Sequence, residues 1–210
     1  MVTKPPVQKT ARDADAMRAR ILDAIGRMIV RDGLASVGIN ALAREAGCDK
    51  VLIYRYFDDL EGVYAAFAER SDFWWTMGEI VAGIDPAHMS VAEAGKLILR
   101  RMAMAIRSRP LALAILAAEP VERTALVVAL ETVRERRGLE LGHWLDAHFE
   151  LPSHLDFWVI SILISSGMSY LAIRARKIRV MGGVPIKTDK DWERIFAAAD
   201  QMVDRLFAKE

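Results

Sequence analysis

Residues 37–57, with the sequence VGINALAREAGCDKVLIYRYF, decide the fold of this chain. Apolar residues in the first half take the i, i+3, i+4 and i+7 positions of one helical face: Ile39, Leu42, Ala43 and Ala46. This spacing predicts a short amphipathic helix. We expect the helix to stop at Gly47, because glycine adopts the left-handed conformation that follows a helix more easily than other residues.

A second helix is expected directly after this turn. Asp49 can cap its first turn with a side-chain oxygen, and Ile53 and Phe57 then face the core. Two helices joined by a short turn that contains glycine have the form of the helix-turn-helix that reads a DNA major groove. An ordinary helical hairpin has the same glycine turn and the same helix cap. The periodicity alone therefore fits both a DNA-reading helix-turn-helix and a purely structural hairpin.

A wider set of residues resembles the N-terminal signature of the tetracycline-repressor-like (TetR/AcrR) transcriptional regulators. The matching residues, within roughly residues 12–68, are RILDA at 20–24, Gly33, LAREAG at 42–47, IYRYF at 53–57 and Glu61. The resemblance implies an all-α, dimeric, cytoplasmic repressor. Its three-helix DNA-binding domain would precede a larger, divergent helical domain that binds an inducer and holds the dimer together.

Three positions depart from the pattern of that family. Gly38 stands where the family usually has threonine, Asp49 where it has serine, and Leu60 where it commonly has lysine. Gly38 and Asp49 can still cap helices, but Asp49 brings a negative charge near phosphate and Leu60 offers no cation. We therefore expect phosphate binding to depend on other residues.

The predicted recognition helix offers several kinds of contact to operator DNA. Lys50 can donate to a guanine edge or a phosphate, whereas Val51 and Leu52 can only pack, for example on thymine methyl groups. The resemblance implies backbone contacts for Tyr54 and Tyr56, whose hydroxyls suit phosphate oxygens. The predicted DNA-binding residues are Arg44, Lys50, Val51, Leu52, Tyr54 and Tyr56.

Composition and charge fit a compact intracellular protein. The chain has 210 residues, 53% of them hydrophobic, and a formal net charge of +1. Residues 1–57 carry +4 and the remainder −3, so the DNA-binding end is modestly electropositive, as a solvated charged face would also be. The single cysteine, Cys48, excludes an intramolecular disulfide and fits a reducing compartment. The polar residues 1–12 are predicted to form a flexible arm.

Helical periodicity continues through the rest of the chain. Helices are expected over 13–31, 59–81, 90–108, 110–118, 121–149, 153–176 and 189–208, with possible breaks at Gly138 or Gly142 and no strands. The predicted domains are a helix-turn-helix domain at 13–58 and a ligand-binding and dimerisation domain at 59–210.

The last two helices carry long apolar stripes that favour a partner helix. The residues predicted for the dimer interface are Ser161, Ser165, Ser169, Trp192, Ile195, Phe196, Ala199, Met202, Val203 and Leu206. Both stripes could instead be buried inside one subunit.

A membrane-anchored protein is the alternative from another class. Within the 155–173 segment, residues 157–173 are 17 uncharged residues, and basic residues follow them. Four serines in that run argue against a membrane span.

Aromatic and methionine side chains between these helices could line a ligand cavity, although such residues are more often simply core. The adjacent Trp74 and Trp75 cannot point the same way, so one is expected to face inward and the other a partner or solvent. The residues predicted to bind a largely apolar or aromatic inducer are Trp74, Met77, Met102, Trp144, His148, Phe157, Trp158 and Tyr170.

Enzymatic function is not indicated by any motif. The sequence has no glycine-rich phosphate loop and no Gly-x-Ser-x-Gly turn. His143, His148 and His154 are spaced by five and six residues, which places neighbours on different helical faces. We therefore predict no catalytic residue, no metal site and no cofactor.

Overall fold

The computed structural model describes residues 7–70 and 73–207, with side chains from residue 13 onward. Ten α-helices lie in these ranges: α1 Val7–Asp32, α2 Ile39–Ala46, α3 Lys50–Phe57, α4 Leu60–Ala68, α5 Met77–Val81, α6 Val91–Arg107, α7 Pro110–Ala118, α8 Ala125–His148, α9 Phe157–Ala175 and α10 Asp189–Phe207. A 3₁₀ turn, Leu34–Ser36, and the strands β1 Val180–Met181 and β2 Val184–Pro185 complete the order. The predicted all-α fold class is confirmed.

Packing divides the chain into two units. The first comprises the described residues of Met1–Arg70 and Ala118–Val133, and the second those of Ser71–Ala117 and Arg134–Glu210. The first unit therefore extends past the boundary expected at residue 58. It does so because α4 packs against α1 and α3, with Val63 and Phe67 buried.

The core of the first unit is built on α1. Four residues on one face of this helix are almost completely buried: Ile21, Ile25, Met28 and Ile29. Leu42 of α2, Ile53 of α3 and Phe67 of α4 are buried in the same unit. The Tyr64 hydroxyl donates a hydrogen bond of 2.7 Å to the carbonyl of Val37, and burial raises the pKa of this tyrosine.

Helix α1 starts earlier than its sequence pattern predicts. The structure has helix from Val7, whereas we expected residues 1–12 to form an arm and the helix to start at Asp13. Residues 1–6 of the predicted arm lie outside the described residues. Residues 7–12 are helical, so the prediction of a flexible arm is wrong for them.

The single helix expected over 59–81 is interrupted. Helix α4 ends at Ala68, and α5 begins after a capping box at Thr76. The Thr76 hydroxyl accepts from the backbone N–H of Glu79 at 3.3 Å, and the Glu79 carboxylate accepts from the N–H of Thr76 at 2.7 Å. This reciprocal pair satisfies two donors that a helix start leaves free, so it favours a new helix here.

A short hairpin also departs from the expectation of no strands. Val180 pairs with Pro185 and Met181 with Val184, in antiparallel register. Gly182 and Gly183 both have positive φ, at 56° and 80°. A two-residue hairpin turn whose twist matches that of its strands requires positive φ at both central residues, which glycine adopts easily. The Gly182-Gly183 pair is therefore the sequence signal that predicts this hairpin.

The second unit is held together by α6, α9 and α10. Trp192 of α10 is fully buried and its indole N–H donates to the carbonyl of Ile186 at 2.9 Å. Arg100 and Arg107 of α6 lie over the rings of Phe196 and Trp192, 4.5 and 4.6 Å from the centroids. Cations at this distance from an aromatic face are attracted to it. The apolar stripe of α10 thus packs mainly inside its own unit.

Replacing Tyr64 by phenylalanine is expected to lower the free energy of unfolding by about 1–3 kcal/mol, because the Val37 carbonyl loses its buried donor. Urea unfolding followed by far-UV circular dichroism measures this loss. Tyr54→Phe is the control, since Tyr54 is exposed and should leave stability unchanged. Equal stability of Tyr64→Phe and the parent would contradict the role given to this hydrogen bond.

Candidate DNA-binding helices and ligand cavity

The turn between α2 and α3 has the geometry that its residues predict. Gly47 is left-handed, with φ 62° and ψ 43°, and the N–H of Cys48 donates to the carbonyl of Ala43 at 3.0 Å. The Asp49 carboxylate accepts from the N–H of Val51 at 2.8 Å and caps α3. The half-buried Cys48 fills this turn, and burial raises the pKa of its thiol, which disfavours the reactive thiolate.

Two arginines of α1 bind the ends of the reading helices. Arg20 donates to the carbonyl of Gly47 at 3.1 Å, and Arg18 donates to the carbonyl of Tyr56. The Arg18 guanidinium also lies 4.5 Å from the centroid of the Phe57 ring. The carbonyl groups in the last turn of a helix have no partner inside that helix, so these donors satisfy α2 and α3 and fix them to α1.

A second ion-pair cluster joins α1 to α2. Glu45 accepts from Arg27 and from Arg31, each at 3.0 Å, and these two hydrogen bonds lower the pKa of its carboxyl. Arg31 also pairs with Asp32 at 2.8 Å. Arg27 and Arg31 are therefore neutralised within the unit by acids of the same segment, and the net charge of +4 rests on its other cations.

The predicted DNA-binding residues all lie on α2 or α3. Arg44, Lys50, Val51 and Tyr54 are exposed, whereas Leu52 and Tyr56 are half-buried. Val51 exposes 65% of its surface, unusually much for an apolar side chain that a fold could bury. Arg44 and Lys50 form no ion pair within residues 7–70 and 73–207. Contact of these six side chains with DNA stays a prediction.

Tyr56 differs from Tyr54 in its surroundings. Its hydroxyl accepts from Arg55 at 3.1 Å, and the Arg55 guanidinium lies 5.1 Å from the centroid of its ring. Arg55 was not among the predicted DNA-binding residues. Its exposed cation, held beside Tyr56 on α3, makes it a further candidate for a phosphate contact.

The turn after α3 is tight. Asp58 has φ 68° and ψ −52°, and the N–H of Asp59 donates to the carbonyl of Phe57 at 2.8 Å, which is the geometry of a γ-turn. The Asp59 carboxylate then caps α4 by accepting from the N–H of Gly62 at 2.7 Å. A Cβ atom on Gly62 would lie 2.0 Å from the Phe57 carbonyl oxygen, so this position requires glycine.

A cavity of about 380 Å³ lies within the second unit. Three residues predicted to bind the inducer line it: Met102, Phe157 and Trp158. Five others do not: Trp74, Met77, Trp144, His148 and Tyr170. Among these, His148 bonds the Trp144 carbonyl through Nδ1 at 2.7 Å and stacks on the Trp144 ring.

Trp75, the neighbour of Trp74, lines the cavity instead. Both indoles are buried, with 7% and 3% of their surfaces exposed, so the expectation that one of them faces a partner or solvent is wrong. Their ring centroids are 6.1 Å apart and tilted by 35°. The irregular, bent segment before α5 lets both side chains enter the core, which the single helix expected there would not allow.

The lining of the cavity is almost entirely apolar. No lysine, arginine or histidine lines it, and Glu135 is the only carboxylate among the lining residues in the described part of the chain. Two hydroxyls also lie on the wall, Ser161 and Ser165, and the second donates to the carbonyl of Ile162 at 3.2 Å. A pocket of this character suits a ligand with a large apolar surface and few polar groups.

The residues predicted for the dimer interface separate into groups. Four of them, Trp192, Phe196, Ala199 and Val203, are buried within one chain, because α10 packs against α6. These cannot form an interface in this conformation, and their assignment is corrected. Ser161, Ser165 and Leu206 line the cavity, whereas Ser169 and Ile195 are half-buried and Met202 is 53% exposed.

Helix α9 keeps an exposed apolar face. Ile162 and Leu163 expose 63% and 67% of their surfaces, and Leu163 and Gly167 border an open groove that Ile195 and Met202 of α10 also line. Among the described residues, α9 alone is long and apolar enough to cross a membrane, and 11% of that segment is buried. Length and composition of this kind also occur in the helices of soluble proteins.

Together, α2, α3 and the turn between them, supported by α1, form a helix-turn-helix in the first unit. Comparison with known proteins agrees: residues 21–67 match the family of bacterial regulatory proteins called tetR. Residues 21–67 are therefore similar to the DNA-binding domain of that family, which confirms the resemblance found in the sequence.

Named relatives match this same region. An uncharacterized HTH-type transcriptional regulator of Mycobacterium tuberculosis is 39% identical over 61 residues, which are 29% of this chain and 30% of the relative. An HTH-type transcriptional repressor of Streptomyces coelicolor is 37% identical over 60 residues, 29% of this chain and 31% of that protein. The matches thus span about a third of the length of these relatives.

The fold as a whole has solved counterparts. A TetR-family transcriptional regulator from Haemophilus influenzae superposes with a TM-score of 0.61 at 18% identity, covering 89% of this chain and 96% of that one. This likeness shows the fold of both units. The relatives and the structure named above are all described as transcriptional regulators.

Removing the cap of the recognition helix should destabilise the first unit. We expect Asp49→Ala to lower the free energy of unfolding by about 1 kcal/mol, because the N–H of Val51 loses its acceptor. Asp49→Asn is the matched control, since an amide oxygen can still accept and stability should change by only a few tenths of a kcal/mol. Thermal unfolding compares the three proteins, and equal losses in both variants would contradict capping by Asp49.

Proposed function

We propose that this protein is a homodimeric transcriptional repressor that binds operator DNA and is released from it by a small, largely apolar or aromatic ligand. The observation that carries the proposal is the pairing of an exposed, capped α3 in one unit with an apolar cavity in the other. The relative from Streptomyces coelicolor, described as a repressor, favours repression over activation.

Binding of DNA would place α3 in the major groove. Lys50 lies in the first turn of this helix, where a helix-turn-helix contacts base edges, and Val51 is free to pack on a thymine methyl. Arg44 of α2 and the hydroxyl of Tyr54 are exposed for phosphate contacts. Two copies of α3 would then lie in successive grooves, roughly 34–36 Å apart, on a near-palindromic site.

Dimerisation would bury the groove between α9 and α10. Leu163 and Met202 are large, apolar and mostly exposed there, beside the small Gly167 and Ala198 that allow close approach of another helix. A second copy of the same two helices would cover this face with a four-helix contact. This interface uses the outer face of α10, since the Trp192 face is buried within the chain.

Release from DNA would follow from ligand binding in the cavity. A ligand shifts a two-state equilibrium only if it binds one state more tightly, and a shift from mostly bound to mostly free requires about 5.5 kcal/mol of differential affinity. The cavity is built from α6, α8, α9 and α10, so a ligand there contacts the same helices that border the proposed dimer groove. Ligand binding and the spacing of the two α3 helices would thereby be coupled.

Membrane insertion of α9 is the second candidate, favoured by its length and exposed apolar face. The two proposals differ in one property that is simple to measure. A dimer that covers α9 stays in solution without detergent, whereas a membrane-anchored chain partitions into lipid.

The contribution of α3 to DNA binding can be measured by fluorescence anisotropy with the duplex upstream of the protein's own gene and a shuffled duplex. We expect tight binding to the first that weakens with salt, and a loss of about tenfold for Lys50→Ala combined with Tyr54→Phe. Lys177→Ala, an exposed lysine of the second unit, is the control and should bind like the parent. If the double variant keeps full affinity for a preferred genomic duplex, α3 does not read DNA in the way proposed.

The dimer groove is tested by Met202→Glu, which would bury a carboxylate against apolar surface and so separate the subunits. Sedimentation velocity without detergent should show a dimer for the parent and a monomer for the variant. Val121→Glu, at a valine that is 82% exposed in the first unit, should remain dimeric. A parent that sediments as a monomer would refute the dimer, and one that is insoluble without detergent would favour membrane insertion.

A further inference from the structure

One apolar side chain of α3 faces away from the protein. Ile53 is completely buried, and residues two positions before and after it lie about 200° around the helix axis. Those residues are Val51 and Arg55, so they form the outward face of α3. Val51 exposes 65% of its surface there, in the first turn of the helix. In a helix-turn-helix complex, this end of the recognition helix contacts the base edges.

The polar groups of α3 restrict which bases the helix can recognise by hydrogen bonds. Residues Lys50–Phe57 contain no asparagine, glutamine, aspartate or glutamate. Asparagine and glutamine form the paired bonds that identify adenine, and a carboxylate accepts from the amino group of cytosine. The Asp49 carboxylate, just before the helix, already accepts from the N–H of Val51 at 2.8 Å. Guanine, which offers two acceptors to a cation such as Lys50, is therefore the base that suits α3 best.

Val51 can recognise only an apolar group, because its side chain has no donor or acceptor. In the major groove, the apolar group that a base pair offers is the 5-methyl group of thymine. The same methyl group occurs on 5-methylcytosine, which differs from thymine in its polar groups. A valine does not sense that polar difference, and the guanine paired with 5-methylcytosine is itself a base that Lys50 can contact. The first turn of α3 thus suits either methylated pyrimidine.

We propose that α3 recognises the 5-methyl group of a pyrimidine through Val51, and that methylation of cytosine at this position strengthens a weak binding site. This inference rests on the DNA-binding role of α3 in the proposed function. It names the chemical group of the operator that the helix recognises. It also makes binding sensitive to the methylation state of the DNA.

Replacing thymine by deoxyuridine, which lacks only the methyl group, tests this contact. A duplex is first selected from a random library with the full-length protein, and each thymine is then replaced in turn. Fluorescence anisotropy should show one sensitive thymine in each half-site. We expect affinity to fall about fourfold for each methyl group removed, and about fifteenfold when both are removed.

The variant Val51→Ala separates this contact from any effect of uracil on the DNA itself. It should bind the thymine duplex more weakly than the parent does, and it should lose most of the preference for thymine over uracil. Val51 is exposed, so its truncation should leave the fold intact, which circular dichroism checks. Val121→Ala, at another exposed valine of the first unit, is the matched control and should keep the preference of the parent.

The effect of cytosine methylation is measured at the sensitive position. Its thymine–adenine pair is replaced by cytosine–guanine, with and without a methyl group at C5 of that cytosine. The parent should bind the methylated duplex about fourfold more tightly for each half-site that carries the methyl group. Val51→Ala should lose most of this difference, whereas Val121→Ala should retain it.

Three results would overturn the inference. These are equal affinity for the thymine and uracil duplexes, a preference that Val51→Ala retains in full, or equal affinity for methylated and unmethylated cytosine. In each case the protein still binds a selected duplex, so the proposed regulator stands. A selection that yields no preferred duplex would instead refute both the inference and the sequence-specific DNA binding of the proposed function.

Discussion

Helix α1 controls the position of the recognition helix through two kinds of interaction. Its buried face, with Ile21 and Ile25, supports the other helices of the first unit, and its arginines donate to carbonyl groups near the ends of α2 and α3. Positive charge is favoured at helix C-termini, where the backbone dipoles point their negative ends. Because α1 binds both α2 and α3, a change in its packing would move the two helices of the helix-turn-helix.

The parts of the fold that depend on local signals could be predicted from the sequence. Gly47 and Asp49 mark the end of one helix and the start of the next through interactions with residues at most five positions away. The hydrogen bond from Arg18 to Tyr56 spans 38 positions and has no local signal. Thr76 and Glu79 form a local signal for a helix start, Thr-x-x-Glu, as Ser90 and Glu93 do at the start of α6; the helix expected over 59–81 did not take this signal into account.

Apolar stripes predict burial but do not identify the surface that buries them. The Trp192 stripe of α10 was expected to meet another subunit, yet α6 covers it with the guanidinium groups of Arg100 and Arg107. Helix α9 divides its apolar surface between the cavity, at Trp158, and an open groove, at Leu163. The composition of α9 does not reveal whether a given face contacts a second subunit, a ligand or lipid, because all three contacts require similar side chains. The same limit applies to Trp74 and Trp75, whose order along the chain does not reveal which indole reaches the cavity.

The lack of cations in the cavity lining has a consequence for how a signal would reach the protein. Such a wall disfavours anions, and those apolar ligands that are also uncharged lose little hydration on entering the hydrocarbon core of a bilayer. They therefore cross cell membranes by diffusion, without a carrier. An uncharged ligand of the proposed kind would then need no transporter to reach this cavity from outside the cell.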